Sequence, residues 1–560
     1  MLKNKTTYGL KFLLACTMLS AILSALLFGC TSKTDDEENI WASTGDIYSA
    51  GSITDSKAAI SSNGDIVVVW QEQQTQVVDD DKTSLGIAAS TDDHTSGAYD
   101  PPHFHKLLQS KTIIYAKKYT ASSNSWGVDS KLKEGYLEQT KAGILAVSDA
   151  ADTSKTVFDQ NLNNIFVGDV AVSINDIGDV FVAWVQLGEL IDPTKTPQNT
   201  GNANGENNLF VSRYNSASAT WSAPDVIVTG AVAVQNKVGL ILNDNNIAEL
   251  VWLGRDDLSG VVNVYQNTYD GSAWLSPTMI SDGLSTVRDI KLVQRNQTSG
   301  IALWSQHNKT ALSSAETQLS LYSNWYSSSI WQTSSLVSNG EGEVLDFSVA
   351  VNASGNIWTS WTQTNGSNLN KRGTIWASEF TSTDSWSAAE NIYFSLDSND
   401  TSVAVDSAGN VVVAWVETGD GAVAPRFRKN AIIRANAYSV TTGNWLASSF
   451  IVSDTAAFAT AQPIEKTIPN DHVAPKVVST ALNQFTISWQ YWSVSQDASG
   501  YKLFSIDYDA AANVSSTLQT VSKSLSPVVN QMEMFAVDGG VQILWSQETG
   551  SGVSLKKSVK

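Results

Sequence analysis

The chain has 560 residues, 42% of them apolar, with a formal net charge of −20 and a sequence pI of about 4.6. A surplus of acids this large repels phosphate backbones and excludes nucleic acid as a partner. Two cysteines exclude a disulfide-dense scaffold, and a chain of this length builds its core without one.

The first predicted element is a processing signal. Lys3 and Lys5 precede an apolar run from Phe12 to Phe28, which closes on Leu27-Phe28-Gly29-Cys30. A positive start, an apolar stretch and a small residue before the cut are the parts of a secretory signal, with an ordinary membrane anchor as the competing reading. The four closing residues resemble a bacterial lipobox. That resemblance implies that Cys30 is diacylated and becomes the mature N-terminus, while Cys16 leaves with the signal. Thr31 stands where an inner-membrane retention aspartate would sit, so the same resemblance implies the outer membrane, on either its periplasmic or its surface side. The expected organisation is a signal peptide over 1–29, a lipidated tether over 30–39 carrying Asp35, Asp36, Glu37 and Glu38, and one domain over 40–560.

That domain repeats one phrase eight times. The cleanest copy runs from Ser402 through Val-Ala-Val-Asp406-Ser-Ala-Gly409-Asn-Val-Val-Val-Ala to Trp415, and the other copies end on Trp70, Trp184, Trp252, Trp304, Trp361, Trp489 and Trp545. Undecorated copies recur at short intervals, as from Trp252 to Trp304 to Trp361. Such a period marks a solenoid, propeller or array. Within a copy, β-branched and aromatic residues alternate with polar ones, which is a strand signal. A tight turn, such as Asn63-Gly64 or Ala408-Gly409, separates the first two runs. A third run follows, as in Leu209–Tyr214, and a fourth opens on a second tryptophan: Trp126, Trp221, Trp274, Trp331, Trp386 or Trp445. The predicted fold is all-β, a single eight-bladed propeller of four-stranded antiparallel blades.

The last copy stops after its third strand at Val559, while the mature chain opens on Trp41-Ala-Ser-Thr-Gly-Asp-Ile47, a match to Trp221-Ser-Ala-Pro-Asp-Val-Ile227. The N-terminal strand is therefore expected to complete the last blade and close the ring, which removes an exposed edge. Both tryptophan series are assigned to packing between blades.

These repeats resemble the degenerate sialidase-type repeats of bacterial surface propellers. Thr381-Ser-Thr-Asp384-Ser-Trp386 sits where that superfamily carries its Asp-box, without the box's glycine. The resemblance implies a propeller lipoprotein of a Gram-negative bacterium. Sialidases need an arginine trio, a tyrosine nucleophile and an acid/base aspartate, and none of these maps to a position here, so the activity is not carried over. The stretch Ala437–Trp445, with its Thr442-Gly443 pair, also resembles the propeller subunit of the barrel-assembly machinery.

In such a ring the loops joining strands 2 to 3 and 4 to 1 share one face, and all the long insertions belong to them. Three constellations on that face are candidates. His94, His103 and His105, among several aspartates, could hold zinc or copper. Lys371, Arg372, Arg426, Arg428 and Lys429 form a basic cluster on adjacent blades, suited to carboxylate, sulfate or phosphate groups. Tyr491 and Trp492 could stack on a sugar ring or anchor a partner, or pack beneath the loop. Two residues past the core tryptophan stand Glu72, Gln186, Gln306, Gln363, Glu417 and Gln547. Their expected role is hydrogen bonding to loop backbone, and the two acids lie too far apart around the ring to act as a catalytic pair.

No catalytic motif is readable, so enzyme status stays open, with the weight on binding. The favoured function is a lipid-anchored, monomeric protein whose decorated face binds a glycan or an acidic protein partner. A divergent carbohydrate-active enzyme and a scaffold subunit of an envelope complex are the alternatives.

Overall fold

The computed structural model describes residues 45–49, 52–79, 106–139, 166–187, 208–228, 232–256, 259–308, 318–364, 373–394, 398–417, 431–453, 471–494, 499–522, 529–537, 540–549 and 552–560. The segments Met1–Ala42 and Ser43–Lys560 separate as two units, and the fold described here is that of the second.

Eight antiparallel sheets follow one another along the chain, each ordered first, second, third and fourth strand. In five of them the outer strand is broken into two pieces that both pair with the third strand, as Thr220–Trp221 and Asp225–Val228 pair with Asn208–Asn215. Pro224 stands at that break, where a missing N–H is harmless because the outer strand borders solvent. The first strands pack on one another in sequence. They run from Ser52–Ile60 to Phe166–Ile174, Val232–Leu242, Val287–Asn296, Val344–Val351, Ser398–Val405, Asp471–Ala481 and Val529–Val537, and back to Ser52–Ile60. The molecule is thus an eight-bladed propeller.

Gly45–Ser49 pairs antiparallel with Gly552–Val559 and supplies the outer strand of the last blade. The pairing begins at Gly45, which the phrase match aligns with Asp225, where the corresponding piece of blade 2 begins. Ile47 is buried there beside Leu544 and Leu555. Trp41 lies outside the described residues.

Each second strand carries one core tryptophan, and all eight are at most 2% exposed. Directly opposite on the third strand stands another aromatic in six blades: Tyr115, Phe210, Tyr265, Tyr322, Trp376 and Phe504. Such cross-strand pairs stabilise a sheet beyond the area they bury. The second series pairs with the aromatic ending the third strand, as Tyr119 with Trp126 at 5.4 Å and Tyr326 with Trp331 at 4.9 Å.

The turns between first and second strands are sewn to one another around the ring. Asn175 caps its own turn through the Asp179 N–H and donates Nδ2 to the Asn243 carbonyl of the next blade at 3.1 Å. Asn243 does the same, accepting the Ile247 N–H and donating to the Gln297 carbonyl. Asn352 donates to the Asp406 carbonyl. Asp406 holds the Ala408, Gly409 and Asn410 N–H groups on Oδ1 and the Asn483 N–H of the next blade on Oδ2. The short side chain that shapes the turn therefore also joins the blades, a role the glycine-centred turn signal leaves unread.

Two outcomes follow. Asp406→Ala should cost about 2–4 kcal/mol in urea unfolding, because several buried N–H groups lose their acceptor together; a loss within error would contradict the relay. Deleting residues 40–50 should lower the melting temperature by several degrees, and an unchanged value would mean that the outer strand does not close the ring.

Candidate binding face

Antiparallel connectivity decides which face carries the long segments. Residues 80–105, 188–207, 365–372 and 418–430 join second to third strands, and 140–165 and 454–470 join one blade to the next. All of them leave the sheets on the same side. The opposite side is reached by short turns such as 61–65, 243–247 and 482–483.

The floor of the decorated side is set two residues past each core tryptophan. Residues i and i+2 of a strand share a face, so this side chain lies beside the indole. In three blades it is a glutamine that accepts the indole N–H: Gln306 from Trp304 at 2.8 Å, Gln363 from Trp361 at 2.9 Å, and Gln547 from Trp545 at 3.2 Å. The amide then donates to the preceding blade, Gln306 to Asp282 at 2.6 Å and Gln363 to Asn339 at 2.5 Å. The expected partner was loop backbone; the partners found are the core indole and the end of the neighbouring blade.

The two acids of this ring meet a different donor. Tyr48 donates to Glu72 at 2.5 Å, and Tyr393 donates to Glu417 at 2.7 Å. Both tyrosines end the outer strand of the preceding blade, and each ring lies against the core tryptophan of the next, Tyr48 at 4.7 Å from Trp70 and Tyr393 at 5.0 Å from Trp415. Burial, then the hydrogen bond to Glu417, pushes the Tyr393 hydroxyl up to about 12. Burial and Glu72 hold the Tyr48 hydroxyl above the ordinary phenol range. Glu417 also forms an ion pair with Arg434. Both carboxylates are engaged in joints between blades. Sequence reading missed the tyrosines because they lie at Trp41+7 and Trp386+7, a matched offset visible only once the two acids give it a purpose.

The basic cluster, Lys371, Arg372, Arg426, Arg428 and Lys429, lies outside the described residues, as do His94, His103, His105 and Cys30. The flanking strands nonetheless fix which connections carry the cluster: residues 365–372 precede Gly373–Phe380 in blade 5, and 418–430 precede Ile432–Ser439 in blade 6. Among the described residues no group of three histidines, cysteines or acids could hold a metal, and the zinc or copper expectation falls on residues beyond them. Also among the described residues, no helix is long and apolar enough to cross a membrane.

Tyr491 requires a correction. It is 5% exposed and packs 5.7 Å from Phe504 in the blade 7 core, so its ring fills the base of the blade instead of offering a platform. Trp492 follows in the strand Gln484–Val494, opposite Asp471 and Tyr501. The sequence reading passed over Phe394, which follows the outer strand Glu390–Tyr393 of blade 5 on the decorated side and is 64% exposed. The Asp-box-like turn also has a structural role: Asp384, left-handed at φ 57, pairs with Arg295 of the preceding blade at 2.6 Å.

No protein-family profile and no curated protein matches the chain. Among solved structures, an ulvan lyase of the PL25 polysaccharide lyases aligns with 71% of this chain and 89% of its own, at a TM-score of 0.39 and 12% identity. A protein of unknown function from Dyadobacter fermentans aligns with 62% of this chain and 95% of its own, at 0.34 and 12%. A Trypanosoma rangeli sialidase aligns with 61% of this chain and 55% of its own, at 0.31 and 10%. Likeness this loose assigns no activity, substrate or residue to this chain.

Tyr48→Phe should destabilise the protein by about 1–3 kcal/mol, since a buried carboxylate loses a donor. Adding Glu72→Gln should recover part of that loss, read as a coupling energy in a double-mutant cycle. Strictly additive effects would show that the pair is not a joint.

Proposed function

We propose that this protein is an outer-membrane lipoprotein, anchored through Cys30, whose decorated propeller face binds an acidic glycan or an acidic protein surface without catalysis. The observation that carries this reading is the segregation of the faces. Every long connection leaves on one side of a rigid ring, while the opposite side is closed by short interlocked turns. Long loops on a rigid scaffold are where recognition residues concentrate.

Three further features support it. The connections 365–372 and 418–430 bring Lys371, Arg372, Arg426, Arg428 and Lys429 to adjacent blades of a chain whose net charge is −20. A local basic patch attracts anions despite that charge, because exposed charges are screened beyond about 8 Å at physiological salt. Phe394 adds an exposed aromatic on the same side, where the outer strand of blade 5 ends. Glu72 and Glu417, the acids nearest the floor, are committed to joints between blades, which favours binding over hydrolysis.

A glycan array probed with the full-length protein in detergent should show a preference for sulfated or carboxylated glycans. Replacing Arg372, Arg426 and Arg428 with serine should weaken that binding by about tenfold and flatten its salt dependence, with the melting temperature unchanged. Equal binding by the triple variant would reduce the cluster to solvated surface.

A further inference from the structure

The eight repeats act as controls for one another, and one interface between blades breaks their pattern. Three residues before each core tryptophan, the second strand points a side chain at the next blade. There it meets the aromatic pair formed by the end of the third strand and the start of the fourth. Phe181 fills this position against Tyr269 and Trp274, at 5.3 and 6.3 Å, and Trp358 fills it against Tyr438 and Trp445, at 4.9 and 5.8 Å. Val67, Ile301 and Val412 are its buried apolar counterparts in blades 1, 4 and 6, and Thr486 and Gln542, buried, polar and uncharged, hold it in blades 7 and 8. In blade 3 the residue is Glu249, 2% exposed, facing Tyr326 and Trp331 of blade 4.

The residue opposite on the third strand is a cation in blades 1 and 2. Opposite Val67 stands Lys118, whose Nζ lies 5.6 Å from the Tyr214 ring; opposite Phe181 stands Arg213, 5.0 Å over Tyr269. Elsewhere the cation comes from another position, Arg295 of a first strand over Phe380 at 5.4 Å and Lys557, opposite Leu544, over Tyr119 at 5.0 Å, while Trp325, Ala437 and Val559 stand opposite Ile301, Val412 and Gln542. In blade 7 the opposite residue is an acid, Asp507, and Lys560 of the next blade meets it. In blade 5 it is Glu379, only partly buried. Opposite Glu249 stands Thr268. Among the described residues, the interface between blades 3 and 4 therefore has the aromatic pair and a buried acid but no cation.

A cavity of about 220 Å³ opens there, lined by Glu249, Tyr326, Gln294, Asn245, Ser328 and Ser329 among others. Thr268 donates to Glu249 Oε2 at 2.9 Å, while no donor reaches Oε1 in full hydrogen-bond geometry; Ser329 and Trp331 lie near enough to stabilise the carboxylate without completing a bond. Ser328 and Ser329 are both left-handed, at φ 51 and 61, so the rim is a turn of two consecutive strained residues, a feature that gathers at binding sites. The cavity lies among the short turns, on the side opposite the decorated loops.

We propose that this cavity is a binding site for a primary ammonium group, which pairs with Glu249 and lies against Tyr326 as lysines and arginines lie against an aromatic at four other interfaces. A buried carboxylate without a counter-charge is costly, and an ammonium removes that cost while gaining the face of an aromatic ring. The volume has room for several water-sized groups, enough for a short alkyl chain behind the charge. The ammonium comes from a free amine or from a lysine side chain of a partner protein.

Burial also gives the pocket a pH dependence. Burial raises the Glu249 carboxyl from 4.5 to about 7, against the smaller opposing effects of Thr268, Ser329 and Trp331. The titratable group facing it is Tyr326, whose hydroxyl is itself held above the phenol range by burial and then by Glu249. A carboxyl raised on folding contributes a loss of stability as pH climbs from the unfolded to the folded value, so the loss develops between about 4.5 and 7 and is complete above. An ammonium ligand should restore most at the alkaline end.

The test uses the full-length protein at pH 8 with n-butylammonium chloride, and with n-butanol and sodium chloride as controls. Butylammonium should raise the melting temperature saturably, the controls should not, and Glu249→Gln should weaken the response by about tenfold or more. Thr268→Lys supplies the cation in cis; it should raise the melting temperature unaided and abolish the butylammonium response. That variant keeps the test decisive should Glu249→Gln fold poorly. Nα-acetyl-lysine methylamide separates the sources: a matching response supports a lysine side chain, and a response to butylammonium alone supports a free amine. A butanol response equal to that of butylammonium, or an undiminished response in either variant, would overturn the site.

Discussion

A propeller stands or falls on how it fills the wedge between two twisted sheets that diverge from a common axis. In this protein one fully buried tryptophan per blade does that, always from the second strand. An aromatic of this kind removes roughly 200 Å² from water, on the order of 5 kcal/mol as an upper estimate. Eight such wedges supply a large part of the driving force for a chain without a disulfide in its propeller. They act only if the ring is closed, because each wedge needs a neighbouring blade on its far side. Closure by Gly45–Ser49 is thus a condition for the last wedge as well as a cover for an edge.

The polar groups near those wedges divide by face. On the turn side, the asparagine or aspartate opening the turns of blades 2, 3, 5 and 6 satisfies its own backbone and reaches across to the next blade. On the loop side, the residue two past the tryptophan reaches back to the preceding blade, with glutamine, or with glutamate receiving a tyrosine. Blades 5 and 6 are held by hydrogen bonds at both ends of a hydrophobic wedge. Such bonds contribute modestly one by one, but leaving one unmade in a buried site is expensive, so they fix the relative rotation of the blades. A scaffold fixed in this way tolerates large insertions on one face without distortion at the other.

The same regularity gives weight to departures. Glu249 is the acid at a position filled elsewhere by phenylalanine, tryptophan, isoleucine, valine, threonine or glutamine, and it lacks the cation that lies over the aromatic at four other interfaces. Buried ionisable groups displaced from their ordinary range concentrate where proteins bind or react. The internal repeats make the departure visible within one chain.

The sequence by itself determined the class of fold, the number of blades, the role of the N-terminal strand and the face that carries the insertions. These rest on signals short in range: alternation with period two, a turn residue able to take positive φ, and a tryptophan at a regular interval. Tertiary structure decided what the polar side chains do. Asp406 reaches Asn483, Tyr48 reaches Glu72 and Glu249 meets Tyr326, each across a sequence separation that no local pattern encodes. It also reassigned Tyr491, whose place beside Phe504 depends on the packing of the third strand against the second. The physical reason is that backbone alternation fixes which way a side chain points, while the next blade, supplied by a different stretch of chain, fixes what it meets.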